Sequence, residues 1–188
     1  MGGSMMTNEG YQRFVFYGGG GVPFVMFDGA DKLVGVYLDD NQMDQWYRSY
    51  YDYHRTIASP LTIAFLSYGY GTDTACVKVR LTLEQDIDSG YACGIVLWED
   101  HIFSLGTDWR FTERLYEPRD LTITKAGESQ EFSVTFPLQG NWSTSNLGCT
   151  VIVQQPGTKV VAQANAIRLV AAVTVTPASL GRVKALYR

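Results

Sequence analysis

From Leu61 onward the apolar residues recur every second position, and this period is the strongest constraint on what the chain can become. The run Ala75–Leu83 (ACVKVRLTL) alternates without a break. Alternation of this kind puts every other side chain on one face, which is the pattern of a half-buried strand. Further strand-like runs are Leu61–Phe65, Leu121–Thr124, Glu131–Phe136, Thr150–Gln154 and Val160–Val170. Gly, Pro, Asn or Asp stands between most of them, and no helical pattern intervenes. Tyr91–Trp98 differs in being apolar at nearly every position. Short strands at this spacing predict an antiparallel β-sandwich over 60–176. The alanines of 160–172 would suit a helix as well.

The first part of the chain reads differently. Glu9–Tyr17 (EGYQRFVFY) is aromatic-rich and suits the end of a helix, which the glycines Gly18–Gly21 terminate. Phe24–Phe27 and Leu33–Leu38 flank the turn signal Asp28-Gly29-Ala30-Asp31, so they read as a β-hairpin. Asp39-Asp40-Asn41 offers N-caps for a helix over 41–55. Met43, Trp46, Tyr47, Tyr50, Tyr51 and His54 form one stripe along it, with His54 expected at the helix end as a cap or a partly exposed side chain. The predicted fold is therefore α+β. Residues 1–7 read as an added or disordered leader, 8–59 as a hairpin-and-helix segment, 60–176 as the sandwich, and 177–188 as a linker or tail.

Charge and composition exclude some functions. The formal net charge is -4, and no cluster of Lys and Arg offers a footprint for nucleic acid. No apolar run approaches the roughly 18 residues of a membrane span. The three cysteines, Cys76, Cys93 and Cys149, have neither C-x-x-C spacing nor metal-ligand spacing with His54 and His101. Gly18–Gly21 is not followed by the Lys-Ser/Thr of a phosphate loop. No cofactor or metal is called for.

Glu99-Asp100-His101 is the densest cluster of chemistry-bearing residues. On a strand Glu99 and His101 face one side and Asp100 the other, which reads as a solvated strand end before it reads as an acid–base or metal site. Trp98, Trp109 and Trp142, with Tyr91 and Tyr116, are candidates for an aromatic platform that binds sugar or peptide, although core packing accounts for such residues equally.

Two stretches resemble known families. Gly21-Val22-Pro23-Phe24-Val25-Met26-Phe27-Asp28-Gly29 resembles the segment of thioredoxin-like proteins in which a cis-proline loop precedes the central hairpin. Ile95–Ile102, Arg119, Gly127, Phe132, Val151–Gln155 and Lys159–Ala164 are similar to Omp28-related proteins, exported bacterial proteins with a thioredoxin-like part followed by a β domain. The resemblance implies a secreted, periplasmic or cell-surface location. It also implies an interaction role for Val22, Pro23 and Phe24. The redox cysteines and the first strands of a thioredoxin fold have no counterpart ahead of Val22, so thiol–disulfide exchange by this chain is not expected.

The truncation leaves Phe14, Phe16, Val25 and Phe27 in need of a partner surface, and a lone hairpin recruits strands. The sandwich, a second copy of the chain, or an upstream segment would fill the gap. Copies joined head to tail would grow into a filament. The expected function is a non-catalytic extracellular or cell-surface interaction module, self-assembling through its strand edges. The alternatives are a fragment of an exported thioredoxin-family thiol–disulfide or peptide-handling protein, and a carbohydrate-binding sandwich.

Overall fold

The computed structural model describes residues 8–20, 24–35, 39–104 and 106–172. Helix α1 (Asn8–Phe16) is followed by a hairpin of β1 (Phe24–Phe27) and β2 (Asp31–Val34), and then by helix α2 (Asp40–His54). The hairpin turn holds Asp28 and Gly29 at φ of 45° and 70°. The side chain of Asp39 caps α2 by accepting from the Gln42 N–H at 3.0 Å, as the run of N-cap candidates predicts. Of the expected helical stripe, Met43 and His54 are buried and Tyr47 and Tyr50 half-buried, whereas Trp46 and Tyr51 are exposed.

Nine strands follow: β3 (Leu61–Tyr70), β4 (Thr74–Leu83), β5 (Ala92–Glu99), β6 (Ile102–Ser104), β7 (Thr107–Trp109), β8 (Thr112–Asp120), β9 (Ser129–Pro137), β10 (Leu147–Gln154) and β11 (Val161–Arg168). They form one sheet ordered β3-β4-β9, a second ordered β11-β10-β5-β8, and a small β6-β7 hairpin. Every pairing between these strands is antiparallel, and a single parallel bridge joins Tyr70 of β3 to Ala171. The fold is α+β with a β-sandwich. Its core lies between the two large sheets: Leu61, Val77, Val79 and Leu81 from one meet Ile95, Leu97, Val151 and Val153 from the other. Cys93 and Cys149 sit in that core as free thiols, and burial pushes both up to about 12.

The strand pattern departs from the sequence reading: β2 starts at Asp31, inside the expected turn, the β6-β7 hairpin was not anticipated, and three further departures have a physical reason. Strand β3 continues five residues past Phe65, because a bulge between Phe65 and Ser67 shifts the alternation that the pattern follows. Leu121–Thr124 is not a strand; the Thr122 N–H bonds the Gln130 side chain at 2.9 Å instead of a neighbouring backbone. The strand in that region is β8, whose sequence TERLYEPRD holds five charged residues and a proline. Such a composition reads as a loop, yet it suits an edge strand, where a missing N–H and a charged surface cost little.

The sandwich edges are covered. Side-chain amides of β11 reach carbonyls of β3, with Asn165 Nδ2 to Ile63 O at 3.0 Å and Gln163 Nε2 to Leu61 O at 3.4 Å. The hairpin turn docks on the same sheet system: the Val161 N–H donates to Asp28 O at 2.7 Å.

Candidate functional site

The aromatic residues of the first segment largely satisfy one another. Phe14 meets Phe24 edge-on at 5.4 Å. Phe27 stacks on Tyr50 at 5.2 Å and approaches Tyr47 and His54 at 6.2 and 6.1 Å. Phe16 lies near the cations of Arg13 and Lys159, at 5.2 and 5.4 Å. Phe14, Phe16, Phe24, Val25 and Phe27 are all half-buried rather than open. Val22 and Pro23, the centre of the expected proline loop, lie outside the described residues.

His54 is buried, not a partly exposed cap. Its Nδ1 lies 3.1 Å from an Asp28 carboxylate oxygen and its Nε2 3.0 Å from one of Asp31. The two carboxylates occupy opposite ring nitrogens, so they cannot converge on one metal ion. The arrangement ties the end of α2 to both sides of the hairpin turn. Only the tertiary fold brings these residues together, because Asp28 and Asp31 read as turn formers and His54 as a helix end.

The cluster at the end of β5 is not a solvated strand end, as its charge pattern suggested. Glu99 is buried and Asp100 is fully buried. Glu99 Oε2 accepts from Arg114 Nε and Nη2 at 2.9 and 2.8 Å, and its Oε1 accepts from the Ser143 N–H at 2.8 Å. Asp100 accepts from Arg110 at 2.6 and 3.1 Å, from the Phe111 N–H at 3.2 Å, and from Arg168. These contacts, the Arg110 bonds foremost, hold its carboxyl well below the usual carboxylate range. Sequence inspection overlooked Arg110 and Arg114, just ahead of and within β8, and the distant Arg168, none of which carries a local motif.

Trp98 and Trp142 belong to the same network. Trp98 Nε1 donates to Thr150 Oγ1 at 2.9 Å, and the Arg168 guanidinium lies 5.0 Å from its ring. The buried Trp142 has Arg114 at 5.4 Å. His101, just ahead of β6, has its Nε2 3.7 Å from Asp100 at the rim of this network, and Trp109 lies further out on the β6-β7 hairpin. His101 Nδ1 meets Asp108 at 2.9 Å, and Trp109 Nε1 donates to Ser104 O at 3.2 Å. The aromatic candidates therefore form no shared platform: Trp98 and Trp142 are tied to the arginines of this network, Trp109 is exposed, Tyr91 packs against the core, and Tyr116 faces the outer side of the sheet. Both buried carboxylates bind arginines, which makes the network a structural clamp with no acid or base poised toward a substrate. Among the described residues no group of three His, Cys, Asp or Glu is placed to hold a metal ion.

A further site-like feature is a trough on the outer face of the four-stranded sheet; other cavities, of about 430 and 490 Å³, lie beside His54 and beside Lys125. α1 crosses this face and leaves a cavity of about 600 Å³ beneath it, with Arg13, Phe16, Tyr116, Ile152 and Gln154 in its walls. A smaller cavity of about 300 Å³ adjoins it near Trp98 and Phe111.

No family model matches the chain, and no curated protein does. Solved structures do. HBP35 of Porphyromonas gingivalis superposes with a TM-score of 0.69 at 12% identity, over 93% of this chain and 62% of that one. This chain thus spans about three-fifths of the length of HBP35. A domain of the outer membrane lipoprotein Omp28 from the same organism gives a TM-score of 0.44 at 11% identity, over 62% of this chain and 93% of that domain. The sporulation control protein Spo0M of Bacillus subtilis gives 0.42 at 12% identity, over 62% and 51% of the two chains. At such identities the likeness is one of fold, and HBP35 carries it.

Proposed function

We propose that the chain is a non-catalytic structural and interaction module of an exported or surface-exposed bacterial protein, and that the β1–β2 hairpin is its pairing edge. One observation carries this reading. β1 and β2 form a sheet of two strands, and among the described residues no third strand pairs with either. A sheet of two strands is marginal alone and offers its outer N–H and C=O groups to any strand that comes alongside. The sandwich edges contrast with it, since Gln163 and Asn165 cover β3 while prolines interrupt β8 and end β9.

In this reading residues 8–59 correspond to the C-terminal part of a thioredoxin-like domain, and 60–176 form the sandwich that carries it. The exported location rests on the resemblance to Omp28-related proteins and on the fold shared with HBP35. The strand added at the edge comes from a second copy of the chain.

Multi-angle light scattering and negative-stain imaging across a wide concentration range test the proposal. Concentration-dependent ordered oligomers, reduced to monomer by Val25→Lys at the centre of β1, are expected. A single monomer at every concentration overturns pairing between copies.

A further inference from the structure

The outward side of a sandwich sheet is ordinarily polar, because water covers it. Here it is not. Cys93, Ile95 and Leu97 of β5 face the core, so Ala92, Gly94, Val96 and Trp98 face outward, and none of the four is ionisable. Ile152 of β10 and Pro118 of β8 continue the apolar surface. This is why Tyr91–Trp98 lacks the alternation of its neighbours: a strand covered on both sides is apolar at every position. α1 at one end and Phe111 at the other, 5.1 Å from the Trp98 ring, cover only part of that face. The two cavities lie between them, and Arg13 and Ile152 line both.

Among the described residues Arg13 is the only charged one in the lining of the larger cavity, and Glu113 joins it in the lining of the smaller. Its guanidinium is held from several sides. It lies 4.9 Å from the Tyr17 ring, 5.2 Å from Phe16 and 5.3 Å from Tyr116. Nη1 and Nη2 each donate to Gln154 Oε1 at 3.2 Å, and Nη2 also donates to Tyr17 Oη at 2.7 Å. Gln154 is only 5% exposed, and its Nε2 donates to Tyr17 Oη at 2.7 Å, which locks the acceptor in place. Partly burying a cation costs free energy that aromatic rings and a neutral amide offset only in part. A fixed guanidinium of this kind matches a carboxylate in charge, and with both Nη2 hydrogens spent on Gln154 and Tyr17 it offers a ligand one charge-assisted contact rather than a fork.

We propose that the larger cavity of the trough binds a small amphipathic monocarboxylate, its apolar body along Phe16, Pro118 and Ile152 and its carboxylate on Arg13. A single cation in an apolar cavity matches one negative charge, and a multiply charged phosphate would lack countercharges. The cavity volume falls in the range of small-ligand sites, roughly 300–1,000 Å³. The site does not depend on strand pairing by β1 and β2.

Fluorescence titration of the full chain with dansylated undecanoic acid, and in parallel with its methyl ester, tests the assignment. The acid binds saturably and about tenfold or more tightly than the ester, as expected for one charge-assisted contact. Arg13→Met, which keeps the aliphatic stem, abolishes that preference and retains ester binding. Equal affinity for acid and ester in the unaltered chain overturns the proposal without relying on any variant, as does failure of both to bind. Probe binding that weakens as protein concentration rises at a constant probe ratio assigns the trough to a second copy of the chain, and overturns it too.

Discussion

Arg110 grips Asp100 through two nitrogens, Nε and Nη2, at 2.6 and 3.1 Å from the two oxygens of a carboxylate that has no exposure to solvent. The pair joins the end of β5 to the segment between β7 and β8, and Arg168 brings in the end of β11. Because the Arg110 bonds depress the Asp100 carboxyl, the folded chain binds this proton less readily than the unfolded chain. The stabilisation is complete above about pH 4, the ordinary carboxylate value, and disappears as pH falls below it toward the folded-state value. Thermal melts between pH 7 and pH 2 should show an acid-dependent loss of stability that is markedly smaller in Asp100→Asn. That variant should also melt lower at pH 7, since its amide cannot neutralise Arg110 and Arg168.

The two core thiols should be inert. Cys93 and Cys149 are buried and pushed up to about 12, whereas Cys76 is exposed. Titration with a thiol reagent should label one cysteine in the native protein and all three in denaturant. Rapid labelling of Cys93 in the native state would contradict the sandwich core.

His54→Phe keeps a ring against Phe27 and removes both bonds to the hairpin turn. Because Asp28 and Asp31 are about half exposed and regain water, losing this donor should cost about 1 kcal/mol. Hydrogen exchange should quicken in β1 and β2 and stay unchanged in β4 and β5, since the loss is local to the junction of α2 and the hairpin.

Gly29→Ala should loosen the same hairpin from the sandwich. Gly29 has φ of 70°, and an added Cβ would run into the Lys159 carbonyl, a backbone atom that cannot rotate away. The expected signature is a lower melting temperature, with greater proteolytic cleavage between α2 and β3.

Leu97→Ala removes a fully buried side chain at the centre of the sandwich and should cost about 2–5 kcal/mol in urea unfolding. A loss well under 1 kcal/mol would mean that the two sheets do not share the core described above.

The sandwich was legible wherever one face of a strand meets the core and the other meets water. β4 and β9 show it: their buried and exposed positions alternate, and the amino acids alternate with them. The hairpin and α2 were legible through turn and cap residues, whose preferences act over a few positions. β8 was not, because an edge strand tolerates charge and proline and so resembles a loop.

The chain by itself determined its class, since apolar period and turn chemistry are local properties that follow from the geometry of strands and helices. Only the tertiary structure decided what the polar residues do. Glu99 and Asp100 became buried because Arg110 and Arg114 arrive from the start of β8 and Arg168 from the end of β11, and Arg13 became a fixed cation because Gln154, 141 residues away along the chain, bonds it. Whether a charge is solvated, paired or held ready for a ligand depends on its neighbours in space, and spacing along the chain does not encode them.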